Sequence, residues 1–122
     1  MMHELIGLKG ELEIVLRDKN GRIKDRRHLK NLIVNAGKAQ VAGLMNGSAS
    51  GSFQYIAIGT GTTAPSATQT GLVSETHRKA ADTKDRVTTS VSNDTMRLIA
   101  TFSGYSGSES ITEAGIFNAS SG

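Results

Sequence analysis

The sequence predicts a mainly β protein, an antiparallel β-sandwich or partly open barrel that carries one short α-helix. Three observations predict it. Apolar and polar residues alternate over residues 10–17 and 95–103, clusters of Asn, Asp and Gly separate such runs, and helical periodicity occurs in one stretch alone, after Asn35.

The first run places Leu12, Ile14 and Leu16 on one side and Glu11, Glu13 and Arg17 on the other, with Val15 the exception to a period of two. Asp18-Lys19-Asn20-Gly21 then supplies turn chemistry, so the chain is expected to reverse as a hairpin into a charged edge strand. After Leu32-Ile33-Val34, Asn35 is the expected N-cap of a helix of about three turns, in which Val41, Leu44 and Met45 recur at helical spacing. Asn46-Gly47 stops it, and the small polar run to Ser52 is a loop. Residues 53–58, Phe-Gln-Tyr-Ile-Ala-Ile, form the densest apolar segment and predict a strand covered on both faces. Residues 59–71 are rich in Gly, Thr, Ser and Ala, contain the only proline, Pro65, and predict a long loop of the kind that is functional or mobile. A second hairpin is expected from residues 85–92 and 95–103 around Asn93-Asp94, then a loop over 104–110. A last strand over 111–117 follows, with Gly115 marking a bulge or a close approach. About six strands and one helix result.

With 122 residues the chain is expected to form a single domain spanning residues 1–122. Its core is expected to be thin, because only 37% of residues are hydrophobic and Trp is absent, with three Phe and two Tyr as the aromatic complement. A thin core is commonly supplemented by surface buried against copies of the same chain, so a homo-oligomer, a dimer or trimer, is expected. The absence of cysteine removes thiol catalysis and thiolate-bound zinc. No stretch approaches the roughly 18 apolar residues of a membrane span, and no cleavable leader is recognisable, so a soluble protein without a membrane partner is expected.

Tests for chemistry give no cofactor, no metal and no enzyme activity as the expectation. Gly59-Thr60-Gly61-Thr62-Thr63-Ala64 has the spacing of a loose dinucleotide motif, but Pro65 and the Ser/Thr run after it offer no helix to receive a phosphate. Gly37-Lys38 lacks the Gly-rich loop before it and the Ser or Thr after it. In Gly47-Ser48-Ala49-Ser50-Gly51 an alanine stands at the centre where a nucleophile elbow needs serine. His3, His28 and His77 are isolated from one another and read as surface residues. Glu75 and Glu113 could be united by folding as a carboxylate pair, but their spacing does not require it; an ion pair of Glu75 with Arg78, or solvation, is the simpler expectation.

The net charge of +3 conceals one concentration of positive charge, residues 22–30, with Arg22, Lys24, Arg26, Arg27 and Lys30. Two readings stand: a patch for phosphates or an acidic surface, and a solvated edge strand whose charges discourage sheet pairing. No aromatic residues are interleaved for base stacking, so nucleic acid is not the expected partner.

Three segments carry a family resemblance. Lys30-Asn31-Leu32-Ile33-Val34-Asn35-Ala36-Gly37, Tyr55-Ile56-Ala57-Ile58-Gly59-Thr60-Gly61-Thr62-Thr63-Ala64-Pro65 and Ile111-Thr112-Glu113-Ala114-Gly115-Ile116-Phe117 together resemble a recurring domain of tailed-bacteriophage virion proteins. The first is moderately specific; the second and third in combination are more so. The resemblance implies a structural part of the particle, either a small capsid-surface protein or a tail-fibre or tail-tip module, and it implies no catalytic residues. A rapid entry into the first strand and the lack of a coiled or repetitive shaft favour the capsid.

The expected function is therefore a decoration or cement protein on the outer surface of the virion capsid, made in the host cytoplasm, with the major capsid protein as partner. The expected contacts are Arg22, Lys24, Arg26, Arg27 and Lys30 together with Thr60, Thr62, Thr63 and Pro65. The alternatives are a tail module that recognises the host surface and, from another class, a nucleic-acid-binding module using residues 22–30. The family pattern continues into an apolar closing strand, whereas this sequence ends at Ser120-Ser121-Gly122, so the fold is expected to be either cut short or completed by a neighbour.

Overall fold

The computed structural model describes residues 7–103 and 110–122; His3 and most of the 104–110 loop lie outside them. The chain is mainly β, with antiparallel sheets and a single α-helix among the described residues. In order the elements are β1 (Gly10–Arg17), β2 (Ile23–Asn31), α1 (Asn35–Asn46), β3 (Tyr55–Gly59), β4 (Glu75–Ala80), β5 (Thr83–Val87), β6 (Thr95–Ile99) and β7 (Glu113–Phe117). They form three separate sheets, β1-β2, β4-β3-β7 and β5-β6, and the described strands do not close into a barrel. The helix is too short to cross a membrane.

The β1-β2 hairpin forms where the turn residues predict it. Gly21 takes a φ of 82°, and Asp18 Oδ1 accepts hydrogen bonds from the backbone N–H groups of Asn20 (2.8 Å) and Arg22 (3.0 Å). Pairing of Leu12 with Leu29 and of Ile14 with Arg27 puts Leu12, Ile14, Leu16 and Leu29 on one face. A bulge between Leu16 and Arg17 shifts the register near the turn. Leu16 is nevertheless 54% exposed, since the two strands pack extensively only on each other.

Helix α1 departs from expectation at its start. Val34, not Asn35, is the N-cap and makes no side-chain cap bond; instead the Asn35 N–H donates to the carbonyl of Ala67, 2.8 Å away. A loop carbonyl thus takes one of the N–H donors that a helix start leaves without an intrahelical partner. At the other end Gly47 adopts the left-handed conformation, and Ala49 N–H reaches back to the Gly43 carbonyl (3.0 Å). Val41 and Leu44 are half-buried, but Met45 faces outward, 63% exposed.

The central sheet holds what core there is. Ala57 on β3 is the one fully buried hydrophobic side chain among the described residues. The rest of the 53–58 segment is half-buried, so cover on both faces is complete at Ala57 alone. β4 corrects the expected strand count: Glu-Thr-His-Arg-Lys-Ala carries no apolar alternation, and its strand state comes from pairing with β3. Its Arg78 lies over the Phe117 ring at 3.8 Å, bonds both oxygens of Glu75 (2.6 and 3.0 Å) and donates to the Ala119 carbonyl (3.0 Å). β7 pairs with β3 without a bulge, and Gly115 marks a close approach instead. A Cβ there would stand 3.1 Å from the Phe117 ring and 3.3 Å from Leu72.

The second hairpin is shorter than expected. Asp94 ends β5 at Val87 by drawing the N–H groups of Val91, Thr89 and Ser90 onto its carboxylate at 2.8 to 3.0 Å, which makes residues 88–94 a turn with Asn93 at φ 59°. The same donors hold the Asp94 carboxyl far below the ordinary aspartate range.

Candidate functional site

The long loop after β3 is held by a clasp from β7. Thr112 and Glu113 enter the sheet beside Gly59, where antiparallel register sets Glu113 opposite Gly59. One Glu113 oxygen accepts the N–H groups of Gly61 and Ser74, both at 2.7 Å, and the other accepts that of Val73 at 2.8 Å. Thr112 adds its hydroxyl to the Gly61 carbonyl (2.7 Å) and its N–H to the Gly59 carbonyl (3.0 Å). Thr60 N–H closes the base of the loop on the Ser74 carbonyl at 3.0 Å. Partial burial disfavours charge on Glu113, but the N–H groups of Ser74, Val73 and Gly61 outweigh it and hold the carboxyl below its ordinary value.

Glycine is required at two points of this base. A Cβ on Gly59 would collide with the Ser74 carbonyl oxygen, and one on Gly61 would collide with the Glu113 carboxylate and stand 2.7 Å from Val73. Farther out, Gln69 N–H donates to the Ser66 carbonyl (3.1 Å), and the bond from Asn35 to Ala67 ties the loop to α1. Thr62, Thr63 and Pro65 are exposed on this support, while Thr60 is half-buried within it. The loop is therefore pinned at its base and near its tip. Composition pointed to the loop but not to Thr112 and Glu113, which were marked only by the resemblance carried by residues 111–117 and not by any sign of their bonds to the loop.

Residues 22–30 do not form one basic surface. Arg26 stands 3.7 Å from Glu13, His28 3.1 Å from Glu11, and Arg27 3.1 Å from Asp25. Pairing of β2 with the acidic positions of β1 offsets the charge that the linear sequence concentrates. Arg22, Lys24 and Lys30 have no acidic partner within ion-pair distance among the described residues. No hydrogen bond joins the hairpin to the clasped loop among the described residues.

Glu75 and Glu113 flank Gly59 from opposite strands, yet both are engaged: Glu75 with Arg78, and Glu113 with backbone donors. Among the described residues no three His, Asp or Glu side chains gather as metal ligands. A shallow groove runs between Phe53 and Gln54 on one side and Met96 and Leu98 on the other. Within its walls Lys84 donates to the Gln54 amide oxygen (3.1 Å) and Arg97 pairs with Asp85 (2.6 and 2.9 Å). Comparison with family models, with curated proteins and with solved structures finds no match to this chain.

Proposed function

We propose that the chain is a non-enzymatic structural protein of a tailed-bacteriophage virion, a decoration or cement protein that binds the assembled lattice of the major capsid protein. The observation that carries the reading is the clasp. The two more specific segments of the resemblance, the Gly59-Thr60-Gly61-Thr62-Thr63-Ala64-Pro65 loop and the Thr112-Glu113 pair, form one hydrogen-bonded unit. A shared unit of this kind accounts for their occurring together. It also holds Thr62, Thr63 and Pro65 outward on a braced support, as a contact surface requires.

The action is mechanical. Contacts that bridge neighbouring capsid subunits exist only in the assembled shell, so binding stabilises the shell by mass action. Arg22, Lys24 and Lys30, whose charges no ion pair offsets among the described residues, are the better basic contacts of residues 22–30. Offsetting of Arg26 and Arg27 weighs against the nucleic-acid alternative.

Electron microscopy of intact particles tests the reading. Density for the chain on the capsid faces is expected, and Thr63→Glu is expected to lower occupancy about tenfold by placing an unpaired charge in the contact. Density confined to the tail would replace the decoration reading with the tail module.

A further inference from the structure

We infer that Asn20 is a self-modifying site, at which the chain deamidates to aspartate and isoaspartate, while the fold protects its second Asn-Gly pair, Asn46-Gly47. Six asparagines occur in the sequence, and only Asn20 and Asn46 precede glycine. That order matters because the nitrogen of the following residue is the nucleophile, and a neighbour without a Cβ leaves it unhindered. The Gly21 N–H gives up its proton to solvent base, and the nitrogen bonds to Asn20 Cγ. The Cγ–Nδ2 bond breaks, and the amide nitrogen takes up a proton from water and leaves as ammonia. Water then opens the resulting cyclic imide at either carbonyl, giving aspartate or an isoaspartate whose backbone is longer by one carbon.

The reacting dipeptide is the same at both pairs, so the fold decides between them. Space does not: a Cβ on Gly21 or on Gly47 would meet nothing within 4 Å, and the two glycines have nearly equal φ, 82° and 80°. The asparagines differ. Asn46 is the last residue of α1, and its Oδ1 accepts the Ser48 N–H at 3.0 Å and the Ser48 hydroxyl at 2.6 Å. These bonds fix the carboxamide and the helix fixes ψ, so neither torsion is free to bring Cγ onto the Gly47 nitrogen. Asn20 lies in the exposed turn between β1 and β2, and its carboxamide makes no hydrogen bond among the described residues. Backbone bonds alone restrain it, from the Asn20 N–H to Asp18 Oδ1 (2.8 Å) and from the Gly21 N–H to the Asp18 carbonyl (3.0 Å). In a solvated turn such bonds open locally at low cost. The product alters the hairpin. A carboxylate at residue 20 lowers the net charge of +3 by one, two residues from that of Asp18. The added carbon of isoaspartate displaces Arg22, whose N–H also bonds Asp18 Oδ1 (3.0 Å). The inference rests on the turn and the helix end and does not depend on the virion reading.

The test follows the whole chain by mass spectrometry with fragmentation during incubation at mildly alkaline pH and physiological temperature. Acid at residue 20 is expected to appear about tenfold faster than at residue 46, whose held carboxamide adds to the barrier. The rate at residue 20 is expected to rise with pH, because the nucleophile must lose a proton. An isoaspartate-specific methyltransferase is expected to label the aged chain far more than aged Asn20→Gln, whose longer side chain closes the ring poorly. Aged Asn46→Gln is expected to label like the unsubstituted chain. In guanidinium chloride, where only the dipeptide remains to act, the two sites are expected to react at nearly equal rates. Equal rates in the folded chain, acid first at residue 46, a tenfold gap that persists after unfolding, or a folded chain inert at both sites while the unfolded one reacts would each overturn the inference.

Discussion

A carboxylate that accepts three backbone N–H groups fixes a loop more firmly than any neutral side chain in its place, because each bond is charge-assisted and the donors have no other partner. Glu113→Ala is expected to lower the unfolding free energy by about 2 kcal/mol, and Glu113→Gln by about half of that, read from urea titrations. The smaller loss follows from the amide keeping one acceptor while turning its NH₂ toward a donor. The same carboxylate contributes to acid sensitivity. Glu113, Asp82, Asp85 and Asp94 all have folded-state values below their ordinary ones of 4.5 and 3.8. Protons therefore bind the unfolded chain more readily, and stability is expected to be level above about pH 5 and to fall as pH drops through about 4 and below. Glu113→Gln should show a shallower fall in the same titrations. None of this is legible locally, since the donors lie 39, 40 and 52 residues before Glu113.

Among the elements, helix α1 contains the sharpest conflict between local preference and packing. Alanine favours a helix over glycine by about 1 kcal/mol, yet a Cβ on Gly43 would stand 2.5 Å from the Cβ of Ala49, where the chain folds back after Gly47. Packing wins, because neither atom belongs to a flexible side chain. Gly43→Ala is expected to destabilise by about 1 to 2 kcal/mol, and exchanging the pair, Gly43→Ala with Ala49→Gly, to recover most of it in thermal unfolding. The β1-β2 hairpin and α1 were readable because turn residues and periodicity act over a few positions. β4 was not, because Glu75–Ala80 becomes a strand only through β3 and through the seat of Arg78 on Phe117. The early end of β5 was hidden likewise, since Asp94 closes its turn with backbone groups that every residue possesses.

Taken whole, the molecule has little interior of its own. Among the described residues one hydrophobic side chain is fully buried, and three small sheets share no common ladder. Burial of apolar surface is the dominant stabilising force in folding, so a chain this exposed draws little of it from its own interior. The thin core was visible in composition, as the low hydrophobic fraction and missing Trp implied.

Residues acting on near neighbours wrote the β1-β2 hairpin, the helix, its glycine stop and the antiparallel, mainly β character into the sequence. Contacts between distant segments could not be written that way. Folding had to bring Thr112 and Glu113 to the 59–74 loop, set the Ala67 carbonyl on the Asn35 N–H, and place Glu11 beside His28 and Glu13 beside Arg26. A backbone N–H or carbonyl has no residue type, and a charge takes its meaning from what stands across the sheet.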